Sequence, residues 1–377
     1  MQATLALEDG RLFHGQSFGA RSPGFGEAVF HTGMTGYQEV ISDPSYHGQI
    51  VVMTAPLIGN YGVNHEDPES RRLHLAGLVV REYCKTPSSW RSREPLGTLL
   101  ERSEVPAVTG VDTRALTRHL RSRGAMRGGI GVGMSDDALL SAVRDSRGLE
   151  GRDLAREVAA DQPFDWEVGV ADRWRPFHAP TDSPAAVRLA VIDCGVKFNI
   201  LRCLRERASD VRVFPAAVGT QAILDWGPQG IVFSNGPGDP APVESAIQLA
   251  RDLMGKLPIL GICLGHQVLA LALGAHTYKL KFGHHGANHP VKNLTTGEIE
   301  ITSQNHGFAV DEDSLVATGA EVTRRNLNDG TVEGMRHREL GIECIQYHPE
   351  AAPGPWDAHH AFTDFVRTVS RHAATRS

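Results

Sequence analysis

The chain has 377 residues, with 38 basic and 44 acidic side chains and a formal net charge of -6. Hydrophobic residues make up 41% and charged residues 22%, which are ordinary values for a folded protein and exclude disorder as the dominant state. The mild acidity argues against nucleic acid or an anionic membrane as the main partner. At roughly 150 residues per domain, this length predicts two or three domains.

The N-terminal residues lack the pattern of a secretory signal, because Glu8, Asp9 and Arg11 come early and no basic region precedes an apolar core. The most apolar stretch, residues 257–274, contains His266 and Gln267, so we expect no transmembrane helix. The cysteines have no paired short spacings. We therefore predict a cytoplasmic protein whose thiols are reduced and are either buried or catalytic.

The N-terminal half is rich in short strands. Apolar runs bounded by Gly, Pro and Asp predict strands at residues 3–7, 50–53 and 75–80. Two helices are expected as well: one is capped by Asp112 and ends at Gly124, and the other begins at Ser135. This pattern predicts a β-rich α+β domain.

A segment from about residue 160 to residue 186 has no usable periodicity. It is rich in tryptophan and proline, and its prolines are Pro163, Pro176, Pro180 and Pro184. Such composition is typical of a linker between domains. We therefore predict an N-terminal domain over residues 1–186 and a second domain over residues 187–377.

The second half alternates between strands and helices. Alternating β and α segments predict βαβ units, and therefore a mostly parallel sheet flanked by helices. In such sheets, ligands bind beyond the carboxyl ends of the strands. The expected strands are 187–193, 211–214, 230–234 and 258–262, and the expected helices are 199–207 and 243–254.

A candidate nucleophile follows the last of these strands. Gly261-Ile262-Cys263-Leu264-Gly265 is a G-x-C-x-G pentapeptide between an apolar strand and the apolar segment 268–273. A nucleophile elbow requires this strand–turn–helix context, and its glycines allow neighbouring backbones to approach closely. A thiol at a helix N-terminus is favoured as the reactive thiolate. The pentapeptide alone would equally suit a buried structural cysteine.

A candidate base lies near the C-terminus, where residues 341–347 are expected to form a strand that His348-Pro349-Glu350 follows. Side chains at i and i+2 of an extended segment share a face, so the Glu350 carboxylate can orient the His348 ring. Pro349 favours extended geometry for the histidine before it. Together with the cysteine elbow, this predicts a triad with Cys263 as nucleophile, His348 as base and Glu350 as orienting acid.

An oxyanion hole requires two converging N–H donors. Elbow geometry provides one from Leu264, the residue after the nucleophile. The second is expected from the loop Ser234-Asn235-Gly236-Pro237-Gly238, which follows the neighbouring strand. Because Pro237 has no N–H, the donor is either Gly236 or Gly238.

These motifs resemble a known family. GICLGHQ, SNGPGDP, SQNHGF and YHPE are similar to the class I, triad-type glutamine amidotransferase domain. In the N-terminal half, HTGMTGYQEVISDPSYHGQIVVMTAPLIGNYG and GVDTRALTRHLRSRGA resemble the small subunit of carbamoyl-phosphate synthase. The resemblance covers essentially the whole chain.

The resemblance implies that glutamine is hydrolysed to glutamate and ammonia through a thioester on Cys263. The ammonia would pass to a large synthetase subunit, which makes carbamoyl phosphate from it with bicarbonate and two ATP for arginine and pyrimidine synthesis. No cofactor is expected in this chain, and ATP and a divalent metal are expected on the large subunit. The chain has no G-x-x-x-x-G-K-[ST] motif, in agreement with that expectation.

The resemblance also implies a set of glutamine contacts. Gln267 lies one helical turn after Cys263, so its amide is expected at the mouth of the pocket. Asn305-His306-Gly307-Phe308 is expected just after a strand over residues 299–303, where a glycine allows close approach of a ligand. The implied contacts are Ser45, Gly236, Gly238, Leu264, Gln267, Asn305, Gly307 and Phe308.

Other reactive side chains suggest less specific roles. Cys194 is expected either to line the site or to pack in the core, and Cys203 and Cys344 are expected to pack in the core. The histidine-rich segment 281–289, with His284, His285 and His289, is either a metal site or a polar loop. The polar loop is favoured, since no Cys or carboxylate nearby completes a ligand set.

Two alternatives remain open from the sequence. A stand-alone Cys hydrolase of the α/β-hydrolase type would place its acid between nucleophile and His in chain order, whereas Glu350 follows His348. A non-catalytic scaffold subunit would have no reason to keep the Cys, His and Glu set. A glutaminase assay tests the scaffold alternative.

Overall fold

The computed structural model describes residues 1–171, 173–174 and 185–375. They divide into two compact units: Met1–Glu150 with Leu280–Gly286, and Gly151–Lys279 with Ala287–Ser377. The division at residue 150 differs from the predicted boundary near residue 186. Part of the expected linker belongs to the second unit, because Phe164–Asp165 pairs with a strand of that unit's sheet. Pro176, Pro180 and Pro184 lie outside the described residues.

The first unit is built of short strands, as its sequence predicts. Its strands are β1 (Gln2–Leu7), β2 (Leu12–Ser17), β3 (Gly24–His31), β4 (Gln49–Met53), β5 (Leu57–Ile58), β6 (Gly77–Val79), β7 (Glu82–Tyr83), β8 (Ala107–Thr109) and β9 (Met126–Val132). Its helices are α1 (Tyr37–Ser42), α2 (Leu96–Arg102), α3 (Thr113–Arg123) and α4 (Asp136–Asp145), with a 3-10 turn over Pro44–Tyr46.

A closed barrel organises this unit, with strand order β1-β2-β8-β6-β4-β3-β9. Successive side chains of β1 point to opposite faces, and those on the inner face help to fill the barrel. Leu5 and Leu7 belong to the barrel core, while Ala6 packs with α4. Both predicted helices are confirmed. The Asp112 carboxylate accepts a hydrogen bond from the N–H of Ala115 at 2.9 Å, and Gly124 ends α3 with φ 107°.

The second unit contains the remaining elements, except for residues 280–286 of the strand Thr277–Asn293, which belong to the first unit. Its helices are α5 (Ala155–Val158), α6 (Phe198–Arg205), α7 (Thr220–Asp225), α8 (Glu244–Leu253), α9 (Leu264–Leu273), α10 (Glu312–Ala317) and α11 (His360–Ala374). Its strands are β10 (Phe164–Asp165), β11 (Ala185–Asp193), β12 (Ala208–Pro215), β13 (Gly230–Phe233), β14 (Ile259–Ile262), β15 (Thr277–Asn293), β16 (Ile299–Val310), β17 (Glu321–Asn326), β18 (Val332–His337) and β19 (Ile342–Ile345).

One sheet organises the second unit, in the order β10-β12-β11-β13-β14-β19-β18-β17-β15-β16. Strands β12, β11, β13, β14 and β19 are parallel, and β18 then runs antiparallel to β19. Successive residues of the parallel strands face opposite cores. Ala190 and Ile192 pack in the cluster that includes α8 and α9, whereas Leu189 and Val191 pack with α6 and α11. The predicted parallel sheet between helices is therefore confirmed.

Two expected loops are strands instead. Residues 305–308 lie within β16, which continues past residue 303. The histidine-rich segment 281–289 lies within β15. In both cases the sheet continues through polar residues, which periodicity of apolar residues does not reveal. Among the described residues, we find no helix that combines the length and the low polarity needed to cross a membrane.

Candidate active site

Cys263 occupies the sharp turn between β14 and α9. Its φ of 53° and ψ of -105° form a backbone conformation that non-glycine residues rarely adopt. The N–H of Cys263 donates to the carbonyl of Ile345 at 2.8 Å, which ties the turn to β19. The sulfur is buried and lies at the N-terminus of α9. The strand–turn–helix context predicted for an elbow is present.

Each of the two glycines of the elbow is required by a different close contact. A Cβ at Gly265 would lie 2.2 Å from the carbonyl oxygen of Phe233 on β13. A Cβ at Gly261 would lie 2.9 Å from the backbone carbon of Gly265 and 2.6 Å from the side chain of Leu269. These distances are too short for a Cβ, so Gly265 allows the turn to pack against β13 and Gly261 allows β14 to approach the first turn of α9.

His348 and Glu350 form the pair expected from their spacing. The His348 ring donates from Nδ1 to Glu350 Oε1 at 2.7 Å, and both side chains are fully buried. The backbone N–H of His348 donates to the carbonyl of Ser303 at 2.9 Å, which attaches this segment to β16. The carboxylate fixes the proton on Nδ1 and leaves Nε2 with no hydrogen-bond partner in the described chain.

A buried lysine, absent from the sequence prediction, completes the charge arrangement. Lys197 precedes α6, and its Nζ lies 2.9 Å from Glu350 Oε1 and donates to the carbonyl of Ala351 at 2.7 Å. Its own N–H donates to the side-chain oxygen of Asn235 at 3.0 Å. One buried carboxylate therefore faces two cationic groups, which makes its ionised form strongly favoured.

These charges shift both acid–base equilibria. Burial alone would lower the pKa of His348, but the Glu350 carboxylate and the Cys263 sulfur outweigh it and raise that pKa to about 10. Burial alone would raise the pKa of Glu350, but Lys197 and His348 outweigh it and lower that pKa to about 2. At neutral pH, the site therefore holds an imidazolium beside the sulfur of Cys263 and an ionised carboxylate behind it.

Backbone N–H groups of the predicted oxyanion hole are available. Those of Leu264, Gly236 and Gly238 donate to no acceptor within the described ranges. A Cβ at Gly236 would lie 2.6 Å from Leu264 Cδ2, so this glycine packs directly against the residue after the nucleophile. Gly238 instead packs against Leu154. The two candidates for the second oxyanion-hole donor therefore differ in position, since only Gly236 packs against Leu264.

Most of the expected glutamine contacts surround the elbow. The carbonyl of Asn305 accepts from the Cys263 thiol at 3.7 Å. Gln267 donates from Nε2 to the carbonyl of Phe308 at 2.8 Å. A Cβ at Gly307 would meet nothing within 4 Å, so packing does not require glycine there. Ser45 lies in the first unit, buried on the 3-10 turn, where its N–H donates to Asp43 Oδ1 at 2.8 Å.

Two residues of the site, Lys197 and Gln346, were not predicted from the sequence. Lys197 lies in the loop between the carboxyl end of β11 and α6, and the strand-end rule that located the other loops applies there too. Gln346 lies two residues before His348, and its Nε2 donates to Cys263 Sγ at 3.7 Å. The i, i+2 spacing used for Glu350 would also have indicated it.

Two family models match this sequence. Residues 5–130 match the family described as "Carbamoyl-phosphate synthase small chain, CPSase domain", and residues 190–368 match "Glutamine amidotransferase class-I". The carbamoyl phosphate synthase small chain of Syntrophotalea carbinolica is 49% identical over 373 residues, which cover 99% of each chain. That of Akkermansia muciniphila is 49% identical over 370 residues, covering 98% of each chain. That of Bacillus caldolyticus is 47% identical over 371 residues, covering 98% of this chain and 97% of the relative.

Proposed function

We propose that Cys263, His348 and Glu350 hydrolyse glutamine in this chain, which belongs to the carbamoyl-phosphate synthase small-chain family. The chain is the glutaminase component of a glutamine-hydrolysing synthase. The observation that carries this assignment is the buried array in which the elbow cysteine, the His348 ring and the Glu350 carboxylate are neighbours. Hydrolysis of an amide by a thiol requires these three functions in this order.

The proposed reaction begins when the thiolate of Cys263 attacks the side-chain amide carbon of glutamine. A C–S bond forms, and the carbonyl oxygen becomes an oxyanion. His348 transfers its proton to the leaving nitrogen, the C–N bond breaks, and ammonia departs. Water then attacks the thioester and His348 accepts one proton from it. The C–S bond breaks, the thiolate leaves, and the new carboxylic acid loses its proton to solvent to give glutamate. All atoms and charges are accounted for without a cofactor in this chain.

The oxyanion is stabilised by the N–H groups of Leu264 and Gly236. Gly236 is preferred over Gly238 because it packs against Leu264, whereas Gly238 packs against Leu154. A donor of this kind is worth roughly 10²–10³ in rate. The cation of Lys197 keeps Glu350 ionised, so the carboxylate can orient the ring throughout the cycle.

Gln267, Asn305, Gly307 and Phe308 are proposed to bind the glutamine substrate, and a contact from Ser45 stays a prediction of the sequence resemblance. Both hydrogens of Gln267 Nε2 are used internally, by the carbonyl of Phe308 and by Gln346 Oε1. Gln267 therefore offers only its oxygen to a ligand, which suits an N–H donor of the substrate. The open space next to Gly307 gives the substrate room to approach the backbone.

The ammonia is proposed to pass to a large synthetase subunit, which combines it with bicarbonate and two ATP to form carbamoyl phosphate for arginine and pyrimidine synthesis. The family's designation as a small chain supports a larger partner. ATP and a divalent metal are assigned to that partner. The cytoplasmic location stays a prediction.

The test reconstitutes the chain with its large subunit and compares glutamine and ammonium as nitrogen donors. Cys263→Ser should abolish synthesis from glutamine and leave synthesis from ammonium unchanged. Cys84→Ser, in the first unit, is the matched control and should support both. Glutamine-driven synthesis by Cys263→Ser at the wild-type rate would contradict the assignment.

A further inference from the structure

The side chain of Gln346 lies between Gln267 and the nucleophile. It is fully buried, its Nε2 is 3.7 Å from Cys263 Sγ, and its Oε1 accepts a hydrogen bond from Gln267 Nε2 at 2.9 Å. Nothing in the mechanism above uses it. When both the nitrogen and the oxygen of a buried amide have hydrogen-bond partners, the positions of these two atoms are fixed. Which of them faces Cys263 Sγ determines whether the sulfur meets a donor or an acceptor.

The carbonyl of Phe308 fixes this direction. A carbonyl only accepts, so the group of Gln267 that lies 2.8 Å from it must be the amide nitrogen. The same nitrogen faces Gln346, whose facing atom must then be its oxygen. The NH₂ group of Gln346 is therefore the end that points at Cys263 Sγ.

A second series of hydrogen bonds holds the Phe308 carbonyl in place. Ring nitrogen Nδ1 of His306 lies 2.7 Å from this carbonyl, and its Nε2 lies 2.8 Å from Gln304 Oε1, so the ring links the two groups. Gln304 Nε2 donates to Glu333 Oε2 at 3.0 Å, and a carboxylate can only accept here. The N–H of Gln346 donates to the carbonyl of Glu333 at 2.9 Å. The backbone of Gln346 is thus tied to Glu333 of β18, while the direction of its side-chain amide follows from the Phe308 carbonyl.

We propose that Gln346 is a further catalytic residue, whose N–H donates a hydrogen bond to the sulfur of Cys263 and stabilises its negative charge. This inference rests on the proposed function. The sulfur carries that charge twice: before it attacks the amide, and when it leaves the thioester in the hydrolysis step. Gln346 gives up no proton in either step. Gln304 and Glu333 are positioning residues that act through His306 and Phe308.

A donor to an ionised group is stronger than one to a neutral group, so its loss has a measurable effect on thiolate reactivity. Gln346→Met keeps the length of the side chain and removes the donor. Gln346→Glu keeps the shape and the acceptor for Gln267, but it places a carboxylate against the sulfur. Gln221→Met on α7, where the glutamine is exposed and bonds to Asp225, is the matched control.

The experiment measures the rate of iodoacetamide alkylation at Cys263 in the full chain at one neutral pH, followed by peptide mass spectrometry, together with kcat and KM for glutamine. Gln346→Met should lower the alkylation rate and kcat roughly ten- to a hundredfold, with KM within about twofold. Gln346→Glu should lower both further. Gln221→Met should match the wild type.

Wild-type alkylation in a folded Gln346→Met variant would overturn the inference, as would a raised KM with unchanged kcat. If that variant does not fold, wild-type alkylation of Gln346→Glu has the same meaning. The proposed function fails separately, if complete alkylation of wild-type Cys263 leaves glutamine hydrolysis intact.

Discussion

Two cysteines in this chain follow parallel strands of the same sheet, and only one has the surroundings of a nucleophile. Cys263 follows β14 and Cys194 follows β11, and both are buried. Cys263 has a φ of 53° and lies at the N-terminus of α9. Cys194 is followed by a turn in which Asp193 accepts hydrogen bonds from the N–H groups of Gly195 and Val196.

Their electrostatic surroundings are opposite. Around Cys194, burial raises the pKa of the thiol, and the carboxylates of Asp193 and Asp153 raise it further. Around Cys263 lie an N–H donor from Gln346 and the imidazolium of His348. The carbonyl of Cys194 instead limits the side chain at Gly236, where a Cβ would lie 2.1 Å from it. A cysteine at the end of a parallel strand is therefore not by itself a nucleophile, because the charges and the turn around the thiol determine its reactivity.

The largest expected effect comes from exchanging the two cysteines for alanine. Cys263→Ala should lower glutamine hydrolysis at least roughly a thousandfold, because the nucleophile is lost. Cys194→Ala should leave kcat within about threefold and cost about 1 kcal/mol of stability for the lost packing. Steady-state glutamate release and chemical denaturation measure these quantities. Equal loss of activity in both variants would remove the distinction.

The second prediction concerns the carboxylate behind the base. Glu350→Gln should lower kcat by roughly 10²-fold or more while the protein still folds, since the amide keeps the shape of the carboxyl group but not its charge. His348→Asn should be more damaging, since it removes the group that transfers the proton. Glutamate release by both variants, with circular dichroism as a folding control, tests this order. A milder effect from His348→Asn would reverse the roles.

Substitution of Lys197 should mainly affect the stability of the fold, and its effect should be smaller than that of losing a catalytic residue. Lys197→Met should destabilise the fold by roughly 3 kcal/mol, because it removes one partner of a buried pair and leaves Glu350 with His348 alone. Arg212→Met, whose partner Asp165 is exposed, is the control and should cost about 0–1 kcal/mol. Denaturant unfolding of both variants measures the difference. Equal costs would show that burial of the Lys197 pair has no special weight.

The smallest effect expected is a pH dependence of stability that the Cys194 site lacks. Glu350, whose pKa falls from 4.5 to about 2, stabilises the fold fully above pH 4.5 and loses this contribution as pH falls towards 2. His348, whose pKa rises from 6.5 to about 10, stabilises it fully below pH 6.5 and loses this as pH rises towards 10.

The stability lost in a His348→Asn, Glu350→Gln double variant should therefore be greatest between pH 4.5 and pH 6.5 and smaller on either side. The stability lost in Cys194→Ala should be constant from pH 4 to pH 8. Unfolding curves over this range test both statements. A double-variant difference that does not change with pH would contradict the charge states assigned to the site.

The features that could be predicted from the sequence are those that depend on neighbouring residues. A cap at Asp112, the glycines of the elbow and the i, i+2 spacing of His348 and Glu350 each depend on a few neighbouring residues, and all are found in the structure. The continuation of β16 through Asn305 and Gly307 depends on pairing with distant strands, and no local pattern encodes it.

Lys197 and Gln346 could have been indicated by their positions, but their partners could not be predicted, for a related reason. Each lies in a different segment from the group it contacts, Glu350 and Cys263 respectively, and only the folded sheet brings them together. The boundary at residue 150 was missed because Phe164–Asp165 joins the sheet through a short pairing with β12 that its sequence does not indicate.

The most direct test of the central claim is to stop the reaction with acid during glutamine turnover and identify the modified peptide by mass spectrometry. We expect a glutamyl thioester on the peptide that carries Cys263, and unmodified Cys194 in the same sample. Turnover at the wild-type rate without an adduct on Cys263, or with the adduct on another residue, would contradict the account.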